Sequence, residues 1–78
     1  MFRQNVRIIF PPSLVTEPIV YQIGKEFGIA TNIRRANVTK DQGWVVLELL
    51  GPEEDVQRAI HWVREKGATV ELLPADFD

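Results

Sequence analysis

The sequence has no cysteine, one histidine and one serine. A chain without cysteine forms no disulfide, which excludes the small secreted domains that disulfides stabilise. It also lacks the ligands that a structural zinc or iron–sulfur site requires. Ser13 follows two prolines, and His61 lies about opposite the apolar stripe of a predicted helix, so neither is placed as an activated nucleophile or its base. We therefore expect no catalytic residue, no metal, no cofactor and no enzyme activity.

Neither a strong positive charge nor a long apolar run is present. Nine Lys and Arg residues against eleven Asp and Glu give a formal net charge of −2, which argues against a protein that binds nucleic acid or anionic membranes. No apolar stretch approaches the roughly 20 residues that span a bilayer, and no charged start followed by an apolar run indicates a signal peptide. We expect a cytoplasmic protein with neither nucleic acid nor membrane as a partner.

The length fits one domain, residues 1–78, with no linker or low-complexity tract inside it. A domain this short buries only about 60% of the surface that its unfolded chain exposes, so its stability is marginal. The chain is 45% apolar and has no disulfide, which favours oligomerisation as the additional source of stability. We therefore expect a homodimer.

The first half of the chain is predicted to form a strand, a helix and a second strand. Apolar residues alternate over Asn5–Phe10, which predicts a strand, and Pro11-Pro12 ends it because proline cannot donate to a ladder. A helix follows, with Thr16 as its predicted N-cap and Gly28 as its stop. The apolar residues of this helix recur on one stripe: Ile19, Val20, Ile23 and Phe27. A second strand then runs to Val38.

The second half repeats this order. The polar loop Thr39–Gly43 predicts a hairpin into the strand Trp44–Leu50. After Gly51-Pro52, an acidic first turn opens a second helix, whose apolar stripe is Val56, Ala59, Ile60 and Val63. A short strand is predicted over Thr69–Leu73, and residues 74–78 form an acidic tail that should fray.

The predicted order of elements is therefore strand, helix, strand, strand, helix, strand. Two such units with right-handed crossovers give an α+β fold, the ferredoxin-like βαββαβ sandwich, in which a four-stranded antiparallel sheet carries two helices on one face. Each helix has a single apolar stripe, as this two-layer arrangement requires. In the usual strand order of this fold, the first and third strands are central.

The face of the sheet without helices, here called the open face, is predicted to carry apolar side chains. Alternation along the first and third strands places four of them there: Ile9, Trp44, Val46 and Leu50. Because a large apolar patch on a soluble protein marks an interface, we expect the homodimer to bury these residues. Strict alternation in the second strand would turn Arg35 inward with Ile33, which is costly without a partner. A bulge near Arg34-Arg35 would avoid this cost.

The same element order builds the RNA-recognition motif, which stacks bases on aromatic residues of its first and third strands. Here only Trp44 is aromatic at those positions, and Glu48 would face the phosphates. With the acidic balance of the chain, this argues against RNA binding and favours Trp44 as an interface anchor.

Asn32 and Arg34 are predicted to lie together where the second strand borders the open face. An amide beside a guanidinium offers donors and an acceptor to an anionic or zwitterionic small ligand. The alternative is structural, because paired arginines on an edge strand keep that edge solvated and block aggregation. Asn32 equally fits a hydrogen-bonding role in the hairpin or the dimer.

The segment Thr31-Asn32-Ile33-Arg34 and its surroundings resemble a NIL domain over nearly the whole chain. The further segments that carry the resemblance are Arg7–Phe10, Glu17–Ile19, Phe27–Ala30, Gly43, Leu49–Gly51, Ala59-Ile60 and Gly67–Glu71. NIL domains are ferredoxin-like regulatory modules, found at the C-terminus of the bacterial methionine-importer ATPase and as short free-standing proteins. The resemblance implies a domain that pairs through its sheet and that, in the importer, binds methionine to switch transport off. It places Asn32 and Ile33 at the first two positions of the family motif and Arg34 at the third, which is normally leucine.

From the residues and this resemblance together, we expect a non-enzymatic regulatory module, a single NIL-like domain over residues 1–78. Its predicted ligand is an amino acid or a related small carboxylate, bound by Asn32, Ile33 and Arg34 at a dimer interface, and its occupancy is signalled to a partner protein. The alternative is a protein-interaction adaptor that binds no small ligand.

Overall fold

The computed structural model describes residues 1–77 and has the predicted order of elements. These are β1 (Phe2–Phe10), a short 3-10 helix (Pro12–Leu14), α1 (Ile19–Phe27), β2 (Ala30–Val38), β3 (Gly43–Gly51), α2 (Glu53–Lys66) and β4 (Thr69–Leu73). β1 begins three residues before the predicted start at Asn5, because β3 continues to Gly51 and pairs there with Phe2. Among residues 1–77, no helix is long and apolar enough to cross a membrane.

The four strands form one antiparallel sheet in the order β2-β3-β1-β4. The first and third strands are therefore central, as predicted, and β2 and β4 are the two edges. This order and the two helices confirm the ferredoxin-like α+β sandwich. It follows that β2, which carries the predicted ligand-binding residues, pairs on one side only.

The core lies between the sheet and the two helices. Val6 and Ile8 of β1 and Leu47 and Leu49 of β3 are at most 1% exposed, which confirms the predicted alternation of both central strands. Both helices bury the predicted stripes against these residues, fully at Ile19, Ile23, Val56, Ala59, Ile60 and Val63 and partly at Val20 and Phe27. Burying one such aliphatic side chain contributes about 1.5–3 kcal/mol, so this layer holds the sandwich together.

The start of α1 differs from the prediction, whereas its end does not. Thr16 is not the N-cap, because the chain after the 3-10 helix makes further turns and α1 begins only after Pro18, with no side-chain cap. Proline suits this position because the first amides of a helix have no intrahelical partner to lose. Gly28 ends the helix as predicted, with φ of 64° in the left-handed region that glycine adopts without strain.

The chain after β4 turns back over the open face. The Asn5 side-chain amide donates to the carbonyls of Pro74 and Ala75 at 3.1 and 3.2 Å, and the Arg7 guanidinium lies 5.9 Å from the centre of the Phe77 ring. Residues 74–77 thus cover part of the sheet next to Asn5. The fraying predicted for this tail stays a prediction, and Asp78 lies outside the described residues.

Candidate functional site

A β-bulge in β2 decides which side chains reach the open face. Ile33 pairs with Leu47 and Arg35 with Val46, so the register shifts at Arg34, which confirms the predicted bulge. Because directly paired residues of neighbouring strands share a face, Arg35 lies with Val46 on the open face instead of turning into the core.

The bulge divides the three predicted ligand-binding residues between two faces. Asn32 pairs with Glu48 and lies on the open face with Arg34, whereas Ile33 pairs with the fully buried Leu47 and lies on the helix-facing side. The structure therefore brings Asn32 and Arg34 together and leaves Ile33 apart from them. The predicted contact of Ile33 with the same ligand stays a prediction.

Glu48 is the centre of the candidate site. Only 6% of this residue is exposed, although it lies on the face that no helix covers. Its carboxylate oxygen Oε2 lies 3.0 Å from Nε of Arg3 and 3.6 Å from Nη2 of Arg34. A carboxylate withdrawn from water needs such partners, because an unpaired buried charge is strongly destabilising. We call Arg3, Arg34 and Glu48 the ionic cluster.

Asn5 lies beside this cluster in the same row of the sheet. Asn32, Glu48 and Asn5 are paired in register across β2, β3 and β1, so neighbouring residues of this row are about 5 Å apart. Asn5 is 4% exposed, and its Oδ1 accepts no hydrogen bond from residues 1–77. A buried acceptor without a partner is costly, so Asn5 carries an unsatisfied group beside the ionic cluster.

Sequence reasoning placed Glu48 on the open face without giving it a role, and it missed Arg3 and Asn5 as site residues. Arg3 precedes the predicted start of the first strand, so the sequence carried no signal for it. Asn5 is a polar residue next to the core residue Val6. Alternation with Val6 places Asn5 on the open face. Its burial, however, comes from contacts with Pro74 and Ala75, which are distant in the sequence, so local pattern did not indicate it.

The four residues predicted to form a dimer interface do share the open face. Ile9 pairs with Trp44 at one end, Arg7 with Val46, and Arg3 with Leu50 towards the other end. Their exposure is unequal, since Ile9 is 38% exposed, Trp44 and Leu50 are half-buried, and Val46 is only 2% exposed. Val46 is thus covered within a single chain, and Glu48 separates it from Leu50. The interface itself stays a prediction.

The charges of this face favour an anionic ligand. The ionic cluster has two guanidinium groups for one carboxylate, and Arg35 makes no ion pair with any residue of 1–77. In the next row, the guanidinium of Arg7 is already paired with Glu71 at 2.6 Å. Within residues 1–77, no group of acidic and histidine side chains is arranged to hold a metal ion. The arrangement thus suits recognition of a small carboxylate by arginine and amide donors.

Several known proteins are similar to this chain. The model of the NIL domain family matches residues 4–72. The methionine import ATP-binding protein MetN of Helicobacter pylori is 35% identical over 71 residues, which cover 86% of this chain and 22% of that protein. The protein of the same name from Vibrio vulnificus is 35% identical over 72 residues, covering 87% and 21%. The chain thus spans about a fifth of the length of these curated relatives.

Two solved structures share the fold. The C-terminal domain of an ABC transporter ATP-binding protein from Enterococcus faecalis has a TM-score of 0.79 at 23% identity, covering 94% of this chain and 86% of that one. The de novo designed protein Foldit4 has a TM-score of 0.58 at 14% identity, covering 91% of both chains. At these identities the likeness concerns the fold alone. The family model covers most of the chain, and this chain therefore belongs to the NIL domain family.

Proposed function

We propose that this domain is a non-enzymatic regulatory module that binds an amino acid or a related small carboxylate on the open face, at Asn32 and Arg34. The observation that carries the proposal is the ionic cluster, in which two guanidinium groups share one buried carboxylate. The cluster keeps a surplus of positive charge and of N–H donors, and the unpaired Arg35 adds to both. A carboxylate is the small group that matches such donors best.

A zwitterion fits this face better than a simple anion does. The ligand carboxylate would accept hydrogen bonds from Arg34 and from the Asn32 amide. Its ammonium group would donate to the carboxylate of Glu48, which lies in the same row of the sheet as Asn32. Such a ligand would present one group of each sign to a face that carries both an excess of guanidinium groups and one carboxylate.

The relatives support an amino acid as the first ligand to test. They are named methionine import ATP-binding proteins, and a domain shared with them is a candidate for sensing the imported amino acid on behalf of a partner protein. Arg34 stands where the family motif normally has leucine, so the preferred ligand here should present a polar or anionic group to that side chain.

A homodimer is part of the proposal. Ile9 and Trp44 form an apolar pair at one end of the open face, and Leu50 adds a half-buried apolar residue at the other. Pairing through this face would cover them and bring the ligand sites of two copies into one interface. A domain of this size would gain stability from that burial.

A thermal-shift screen against amino acids and sulfur metabolites tests the ligand. A ligand at 100 times its Kd contributes about 2.7 kcal/mol, so one compound should raise Tm by at least several degrees. Asn32→Ala and Arg34→Ala should lose the response. Arg58→Ala, which removes an exposed arginine paired with Asp55 on α2, should keep it.

A flat response of the wild type to the whole panel would overturn the ligand and leave the protein-interaction adaptor. The adaptor has one observation in its favour, because Arg34 already has a structural partner in Glu48. Under that alternative, Arg34→Ala would lower stability by removing a partner of Glu48, and neither the variant nor the wild type would respond to the panel.

A further inference from the structure

The outer edge of β2 has no partner strand within residues 1–77. β2 lies at the end of the sheet and pairs only with β3. It is nine residues long, and every residue except the half-buried Thr31 is exposed. A strand of this length spans about 30 Å, and its free edge presents a row of backbone donors and acceptors to any extended chain.

An apolar groove runs along the helix-facing side of this edge. It encloses about 230 Å³ between β2 and the segment from Phe10 to Tyr21. On the strand side it is lined by Ile33, Ala36 and Val38, and Glu17 is its only charged lining residue within the described chain. Six large apolar residues of 1–77 are exposed, and three of them line this groove: Tyr21, Ile33 and Val38.

The other side of the same edge carries Arg34 and Arg35, and Lys40 follows in the loop after the strand. The sequence from Phe27 to Lys40 contains no Asp or Glu and three basic residues. Arg34 of this group points towards Glu48, whereas Arg35 and Lys40 make no ion pair with the described residues 1–77. Two copies of β2 paired edge to edge would bring these cations together, so like charge opposes a second copy there. An acidic strand meets no such obstacle.

We propose that the edge of β2 and its groove bind an extended segment of a partner protein in which apolar and acidic residues alternate. The segment adds a fifth strand to the sheet through backbone hydrogen bonds, the mode known as β-augmentation. Its apolar side chains enter the groove beside Val38, and its acidic side chains lie over Arg35. This inference rests on the part of the proposed function that gives the domain a protein partner, and it does not depend on the small ligand.

A designed peptide tests the surface directly. It is about nine residues long, to match β2, alternates valine and glutamate, and carries a fluorescent label for anisotropy. Two control peptides have lysine in place of glutamate, or a central proline that removes a backbone donor. The valine–glutamate peptide should bind, and each control should bind at least about tenfold more weakly. No binding of the first peptide, or equal binding of all three, would overturn the proposal.

Matched variants locate the binding. Val38→Ser should weaken the peptide about tenfold, because it removes a side chain that is 58% exposed in the groove. Leu72→Ser should have no effect, since Leu72 is similarly exposed, at 55%, on the same face of the opposite edge strand. Arg35→Glu should weaken the acidic peptide and strengthen the lysine peptide. Equal losses from Val38→Ser and Leu72→Ser would overturn the location.

The same variants separate this inference from the small-ligand proposal. Asn32→Ala should abolish the amino-acid thermal shift and leave peptide binding unchanged, and Val38→Ser should do the reverse. Sedimentation tests the competing occupant. If Val38→Ser converted a dimer into a monomer, the edge would be a contact between copies and the proposal would be wrong.

Discussion

Arg3 and Arg34 lie on the two strands that flank β3, and both reach the same carboxylate oxygen of Glu48, at 3.0 and 3.6 Å. The side chain of Glu48 is 8% exposed, whereas those of Arg3 and Arg34 are 63% and 42% exposed. The buried carboxylate therefore needs the arginines to compensate its charge, whereas water can solvate the arginines when the carboxylate is removed. This asymmetry sets the expected outcome of removing each partner.

The double variant Arg3→Ala/Arg34→Ala should lower the free energy of unfolding by about 2–4 kcal/mol, because it leaves a buried carboxylate without partners. Glu48→Gln should cost only about 1 kcal/mol, since the arginines that it leaves unpaired are well solvated. Adding Glu48→Gln to the double variant should therefore recover stability. Urea unfolding measures all three, and a further loss in the triple variant would contradict this account.

Asn5→Asp should destabilise the turn that covers the open face. The side-chain amide of Asn5 donates to two carbonyl oxygens, of Pro74 and Ala75, and a carboxylate there would face those oxygens and Glu48 without a donor. We expect a loss of about 1–3 kcal/mol in urea unfolding. Amide exchange of Phe77, which donates to Pro74 in this turn, should also become faster. Unchanged exchange would show that Asn5 does not hold the turn.

Two glycine variants should change stability in opposite directions. A Cβ at Gly51 would lie 2.8 Å from Cγ2 of the buried Ile29 and 3.3 Å from its Cβ, atoms too close to the backbone to move freely. Gly51→Ala should therefore cost about 1–3 kcal/mol. At Gly24, inside α1, the nearest atom would be the Ile29 carbonyl oxygen at an ordinary 3.5 Å.

Gly24→Ala should consequently stabilise the protein by about 0.5–1 kcal/mol through its higher helix propensity. Thermal unfolding of both variants against the wild type tests the pair. A destabilising Gly24→Ala would mean that α1 packs more tightly against the residues after it than these distances indicate.

The proposed homodimer predicts unequal effects along the open face. Ile9→Asp should convert the dimer to a monomer in sedimentation velocity, because Ile9 is exposed next to Trp44 and a charge there would be buried unpaired. Val46→Thr should leave the association constant nearly unchanged, since Val46 is already covered within one chain. Leu72→Asp, on the helix-facing side, is the control. A monomeric wild type would contradict the homodimer.

The bulge at Arg34 could be predicted from the local sequence pattern alone. Alternation along β2 conflicts with burial at Arg35, and this conflict alone predicted the irregularity that the register contains. The strands, the helices and their buried faces were predicted for the same reason, because apolar periodicity reports directly on which side of an element meets the core. Thr16 was the local error, since it fits an N-cap by type but lies in a turn that Pro18 separates from α1.

The ionic cluster and the contacts of the tail could not be predicted from the local sequence pattern. Arg3, Arg34 and Glu48 are distant in sequence, and their meeting depends on the registers of two strand pairs, in which a shift of one residue would turn a side chain to the other face. The burial of Val46 and the free acceptor of Asn5 likewise follow from neighbours contributed by other strands and by the tail.

The sequence by itself therefore determined the order of elements, the two-layer sandwich and the bulge, because each follows from the spacing of apolar, proline and glycine residues along a short stretch of chain. Only the tertiary structure decided which polar groups share the open face, which apolar residues there are already covered, and that β2 borders an apolar groove. These properties depend on contacts between residues far apart in the chain, and the local spacing of residues does not encode those contacts.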